Sequence, residues 1–224
     1  MAEQYTKKAK GFKAKLENFW YHYKFHSIVA LVIVITLAVS ITQCSTKTKY
    51  DYKIIIAENK VQLTSMQLNL MQKELAKYGK DLNGDGLVNV LLVDCTMGNS
   101  STTQQEYMAK QQRLQTMIMS DTSVMMFITD EERYNFILKL GKSSSFIENI
   151  GLPEDDGKYY DLTGTHIIEN PKKELDPEGK LFWPELRISR RTVKGTLFEG
   201  RDGIEESVKN ADEFIFKLVE ATSK

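Results

Sequence analysis

Leu87-Val-Asn-Val-Leu-Leu-Val93 decides how this chain folds. Six of its seven residues are apolar, and four are Val or Leu without a polar interruption. A strand with one wet face alternates apolar and polar side chains. A near-continuous apolar strand is covered on both faces, as in a parallel sheet under two layers of helix.

The segments on either side support that reading. Tyr52-Lys-Ile-Ile-Ile-Ala57 is a second short, β-branched run. Between the two lies a helical pattern from Val61 to Tyr78, with Leu63, Met66, Leu70, Met71, Leu75 and Tyr78 on one side and Gly79 as its stop. Downstream, Ser101, Thr102 and Thr103 precede Glu106, a capping-box pattern that opens a helix carrying Tyr107, Leu114, Met117 and Ile118. Val124-Met-Met-Phe-Ile128 is a third strand, and Asp130 caps a helix with Tyr134, Ile137, Leu138 and Leu140, stopped by Gly141. Strand and helix thus alternate three times. The expected fold class is α/β, a single mainly parallel sheet flanked by helices.

The composition then changes. Pro153, Pro171, Pro177 and Pro184 fall within one stretch, which predicts loops and short pieces packed by Phe146, Ile150, Leu162, Ile167 and Phe182. Leu186–Val193 reads as a fourth strand, which Thr196–Phe198 continues or pairs with. Gly203–Thr222 reads as a final amphipathic helix.

Upstream of the α/β pattern lies a different kind of segment. Phe25–Thr46 holds 22 residues without Lys, Arg, Asp or Glu. As a helix it reaches roughly 33 Å, enough for the hydrocarbon core of a bilayer. Phe19, Trp20, Tyr21, Tyr23 and Phe25 crowd its first end like an interfacial belt. The chain therefore divides into residues 1–24, a cytoplasmic juxtamembrane amphipathic segment, residues 25–46, a transmembrane helix, and residues 47–224, an extracytoplasmic domain.

Charge sets the orientation. The 30 basic and 30 acidic residues balance overall, but residues 1–27 carry six lysines against Glu3 and Glu17. Lysine clusters remain on the cytoplasmic side. In residues 5–24, Phe12, Leu16, Phe19, Trp20 and Tyr23 recur on one face, which suits either a helix lying among lipid headgroups or a solvated basic tail. Two other readings of the apolar run also put the domain outside. One is a cleaved signal peptide with Ala38-Val-Ser40 as its small-residue site, and the other a lipoprotein signal with Cys44 as the lipidated residue. The bilayer is the expected partner. The outer part is mildly acidic, which gives no electrostatic footprint for nucleic acid.

Two groups of residues carry possible chemistry. Asp81-Leu-Asn83-Gly-Asp85-Gly86-Leu87-Val-Asn89 sets oxygen side chains at positions one, three, five and nine, with glycine at six. This matches the first part of a calcium-binding loop, in which Asp81, Asn83, Asp85, Asn89 and the Leu87 carbonyl would ligate. Leu92 stands where the twelfth-position carboxylate belongs, and a polar turn joining helix to strand explains the stretch as well. Glu58, Asp94 and Asp130 each follow one of the first three strands. They share the carboxyl edge of a parallel sheet, where open α/β folds bind ligands, and could hold a cation or an amine.

Enzyme signatures are missing. The sequence has no Gly-x-Ser-x-Gly elbow, phosphate-cradling glycine loop, His-x-x-x-His or Cys-x-x-Cys pair. His166 is expected at the surface and Cys95 in the core. Arg190, Arg191 and Lys194 read as a basic edge strand that resists aggregation or grips an anion.

The order of elements resembles one lobe of bacterial extracytoplasmic solute-binding proteins of the type 2 periplasmic-binding fold. The likeness is carried by the Asn83-Gly-Asp-Gly86 turn before a strand and by the helix and strand in Leu114–Thr129, LQTMIMSDTSVMMFIT. It implies a solute-receptor or transporter-accessory role and transfers no binding residue. The whole chain is also similar to small membrane-anchored proteins of Gram-positive anaerobes. The sequence therefore supports three roles for the outer domain. They are a binding or interaction module without catalytic activity, a calcium-stabilised solute receptor, and an enzyme using the strand-end carboxylates.

Overall fold

The computed structural model describes residues 11–45, 49–98, 103–140, 146–147, 159–179, 181 and 183–222. The chain forms two compact units, residues 1–48 and 49–224. The sequence-based boundary at 46/47 lies two residues from this division.

Among its described residues the first unit holds one helix, α1 (Phe12–Ser45), of 34 residues. The basic aromatic segment and the apolar run are therefore one continuous helix over the described residues, about 51 Å long. Within it, Phe19–Ser40 is long and apolar enough to cross a membrane, and none of that window is buried. Two of its hydroxyls are satisfied internally. Thr36 Oγ1 donates to the Val32 carbonyl at 2.8 Å and Ser40 Oγ to the Thr36 carbonyl at 2.8 Å, as a segment without water contacts requires.

In the second unit, β1 (Tyr52–Ala57), β2 (Val90–Asp94) and β3 (Val124–Thr129) are parallel, with β1 in the middle. Helix α2 (Ser65–Ala76) joins β1 to β2, and α3 (Gln104–Ser120) joins β2 to β3. The two crossovers run in opposite directions across the sheet. If both are right-handed, their helices must lie on opposite faces. They do. Met71 and Leu75 of α2 pack with Ile54, Ile56 and Leu92, whereas Leu114 and Ile118 of α3 pack with Ile55, Val93 and Phe127. β1, β2 and β3 are thus covered on both sides, but β2 starts only at Val90. Leu87–Asn89, expected as the start of this strand, lie in the preceding loop, with Leu87 64% exposed.

Local chemistry starts three of the helices. Thr64 and Thr103 both form complete capping boxes, with Gln67 and Glu106 respectively. Each box satisfies orphan N–H groups worth about 1 kcal/mol per cap. The Asp130 carboxylate accepts the Arg133 N–H at 2.7 Å at the start of α4 (Glu131–Leu140). Gly79 does more than end a helix. A Cβ there would lie 2.6 Å from Val88 Cγ1 and 2.8 Å from the Tyr52 ring, so the close approach of α2's exit to β1 needs a bare backbone.

The sheet is mixed. β6 (Arg187–Thr192) lies antiparallel to β3, and β4 (Phe146–Ile147) and β5 (Tyr160–Asp161) pair antiparallel with the other side of β6. The sheet is mostly parallel, as expected, but not purely so: β1–β3 are parallel, and β6 and its partners are antiparallel. Strand direction leaves no mark on side-chain periodicity, and only the return of the chain through residues 141–186 fixes it. β6 is consequently an interior strand. Arg191 is fully buried and Arg190 nearly so, which corrects the basic-edge reading. Residues Thr196–Phe198 form turns and not a further strand.

The Pro-rich stretch also holds a helix that its composition hides, α5 (His166–Leu175), with Pro171 inside it. One lost backbone hydrogen bond is tolerated because Ile167, Ile168 and Pro171 are buried against the α2 side of the sheet. Leu162 and Ile167 are core residues as expected, while Ile150, Phe182, Gly141 and the side chain of Phe146 lie outside the described residues. Helix α6 (Ile204–Thr222) completes that layer through Ala211, Phe214, Ile215 and Leu218.

Candidate functional site

β1 connects first to β2 on one side and the chain later adds β3 on the other, so the strand order reverses at β1 and β3. Open α/β sheets leave a crevice outside the carboxyl ends of the strands at such a switch point. A cavity of about 420 Å³ lies there, lined by Glu58 and Lys60 after β1, Asp130, Glu131 and Glu132 after β3, and Trp183, Pro184, Glu185 and Arg187 leading into β6. Its size is in the range that holds a small organic molecule.

The register places the carboxylates. Ala57 pairs with Thr129, so the next residues, Glu58 and Asp130, leave the sheet side by side. Glu58 is fully buried and Asp130 is 6% exposed. Glu58 Oε1 accepts the Lys60 N–H at 2.8 Å, and Oε2 accepts that of Val61. Asp130 Oδ2 accepts the Asn59 N–H at 3.1 Å, while Oδ1 caps α4. Neither forms an ion pair among the described residues. Burial raises the Glu58 carboxyl above its ordinary range, the two N–H groups oppose this, and the charge of Asp130 adds to it. Such local hydrogen bonds keep buried carboxylates tolerable without neutralising them.

Asp94 is not part of this cavity. It is the last residue of β2 and not the residue after it, and it pairs in register with Ile56, one residue before the end of β1. Its Oδ1 accepts Thr96 N–H at 2.8 Å and Thr96 O–H at 2.6 Å, and Lys110 approaches Oδ2 at 3.4 Å. The structure thus brings Glu58 and Asp130 together and leaves Asp94 on local work.

Sequence reasoning missed the other half of the site. Glu131 and Glu132 directly follow Asp130, and that run of three acids was a legible signal. Trp183, Glu185 and Arg187 arrive from a loop 50 residues away, by the antiparallel docking of β6, and nothing local marks them. Arg187 is held aside, with Nη2 3.4 Å from Glu131 and its guanidinium 4.7 Å from the Tyr159 ring centroid. The indole nitrogen of Trp183 is buried and has no hydrogen-bond partner among the described residues.

The Asp81–Asn89 loop lies at the opposite, amino end of β2. Asp81 accepts the N–H groups of Gly84 at 2.6 Å and Gly86 at 2.8 Å, Asn83 Oδ1 that of Asp85, and Asp85 Oδ1 that of Leu87. The Gly86 hydrogen bond is the chief cause that holds the Asp81 carboxyl below its ordinary range. Asp51, which the sequence did not single out, joins the loop to β1. Its Oδ1 accepts Leu82 and Asn83 N–H, and its Oδ2 accepts Asn89 N–H at 2.7 Å. Positions one, three and five thus accept N–H groups of their own loop, and Leu92 at position twelve is buried in β2 and offers no side-chain oxygen. Among the described residues, no group of three or more His, Cys, Asp or Glu side chains is arranged to hold a metal ion.

The remaining polar candidates are structural. Cys95 is fully buried, and desolvation pushes its thiol up to about 11, far from a reactive thiolate. His166 is exposed.

Comparisons of the chain with protein-family models, with curated proteins and with solved structures found no match.

Proposed function

We propose that this chain is a single-pass membrane protein that displays an α/β binding domain outside the cell, with its N-terminus in the cytoplasm and its ligand cavity at the β1/β3 switch point. The observation that carries the reading is α1. It has 22 consecutive unburied residues of membrane-spanning character, with the Thr36 and Ser40 hydroxyls bonded to its own backbone. The lysines of residues 1–27 supply the orientation. The cavity supplies the binding role. Its carboxylates are fixed by backbone N–H groups, and we read it as a recognition surface and not as a catalytic centre.

Protease added to intact protoplasts tests the topology. A C-terminal tag should be removed and an N-terminal tag retained. A protected C-terminal tag would overturn the orientation, and a mature N-terminus at Ile41 or Cys44 would overturn the uncleaved anchor.

A second reading makes the domain a calcium-stabilised solute receptor or transporter accessory. The observation that favours it is that Asp81, Asn83 and Asp85 each accept N–H groups of a loop turned at Gly86, whose φ is +83°. With no carboxylate at position twelve, the affinity belongs in the weak extracellular class, about 10⁻⁴–10⁻³ M.

A further inference from the structure

We infer that the switch-point cavity takes a small organic amine, bound through its ammonium group. This rests on the reading of that cavity as the domain's ligand site. Five carboxylates line it, those of Glu58, Asp130, Glu131, Glu132 and Glu185, against Lys60 and Arg187. Arg187 is drawn off by Glu131 and by the ring of Tyr159. The two deepest carboxylates, Glu58 and Asp130, are buried side by side with no cation paired to either among the described residues.

Two observations choose an organic cation over a metal ion. First, the acids are not arranged to converge on one ion. A compact cation needs convergent oxygens, whereas an ammonium group donates three separate hydrogen bonds and an alkyl chain spans the rest of the cavity. Second, Trp183 lines the same space. Indole is the best aromatic face for a cation, and its buried, unpartnered N–H offers a hydrogen bond to a ligand heteroatom. The ammonium N–H groups would donate to the free lone pairs of Glu58 and Asp130. The other end of the ligand would lie toward the exposed Glu132 and Glu185.

The test uses the full chain in detergent micelles carrying Trp20→Phe, so that Trp183 is the sole indole. Three probes of equal length are titrated while its fluorescence is followed: 1,5-diaminopentane, 1,5-pentanediol and glutarate. The expected result is a saturable change with the diamine alone, weakened about tenfold or more by Glu58→Gln, since a buried charge-assisted hydrogen bond is lost. Should Glu58→Gln fail to fold, Glu132→Lys with Glu185→Lys places two cations at exposed positions of the lining and should abolish the change. Equal or better binding of the diol or of glutarate would overturn the amine assignment and keep the site. No response to any probe would overturn both. An unchanged affinity in the charge-reversed variant, or displacement of the diamine by stoichiometric calcium, would also overturn the amine assignment.

Discussion

The guanidinium of Arg191 stands 4.6 Å from the ring centroid of Phe198, fully buried, and 5.4 Å from that of Phe127. Its Nη1 donates to the Asp121 carbonyl at 2.7 Å and its Nη2 to the Met117 carbonyl at 3.1 Å. Both carbonyls lie at the C-terminus of α3, the negative end of its dipole, and each also accepts a backbone N–H, Met117 from Asp121 at 3.1 Å and Asp121 from Val124 at 3.4 Å. Burial lowers the Arg191 pKa to about 10, and nearby Asp121 opposes the fall, so the group remains charged at neutral pH. One residue of β6 thereby locks α3 to the sheet.

Replacing Arg191 should therefore cost far more than an edge arginine would. Arg191→Ala removes two charge-assisted hydrogen bonds and leaves a cavity between two rings, a loss of roughly 3 kcal/mol. Arg191→Lys should recover less than half of this, because a point charge cannot serve both carbonyls and both rings. Urea melts of the two variants and the parent give the order. Lysine restoring parental stability would remove the fork from the explanation.

Asp51 should be the strongest single determinant of the Asp81–Asn89 loop. Asp51→Ala removes the acceptor for three N–H groups. Water replaces part of the loss at this half-buried site, so destabilisation of about 1–2 kcal/mol is expected. Amide exchange should quicken at Leu82, Asn83 and Asn89 while β3 stays protected. Uniform exchange changes throughout the domain would contradict the local role.

Glu58 should make the domain less stable as pH rises. Its folded pKa lies above its ordinary value of 4.5, so the folded state binds the proton more tightly than the unfolded state does. Its contribution is then complete below pH 4.5 and is lost upward through the folded pKa. Glu58→Gln abolishes this slope in a series of melts from pH 4.5 to neutrality. A slope that persists unchanged in the variant would assign the pH dependence to other groups.

Calcium should act on the loop and not on the cavity. At millimolar calcium, an affinity of about 10⁻⁴–10⁻³ M adds roughly 0.4–1.4 kcal/mol to the folded state. The melting temperature rises slightly, and the increment disappears in Asp85→Ala even though that variant starts lower through loss of the Leu87 N–H acceptor. Identical melts with calcium and with chelator would leave the loop as a hydrogen-bonded turn.

The sequence alone determined what short-range chemistry determines. The apolar runs at 52–57 and 124–129 became strands, and the capping boxes at Thr64 and Thr103 began helices where their hydroxyls could reach an N–H three residues on. The charge-free residues 25–45 became helix, and Phe19–Ser40 is long and apolar enough to cross a membrane. Even the pairing of Glu58 with Asp130 was half legible, since both end parallel strands. Only the tertiary structure decided the rest. It turned β6 antiparallel and buried Arg190 and Arg191 in the sheet's interior. It set Asp94 apart from the cavity and brought Trp183 and Glu185 to it. These outcomes depend on which strand docks against which, in what direction and at what register. Contacts between residues more than 50 positions apart decide that, and neither periodicity nor local propensity records it.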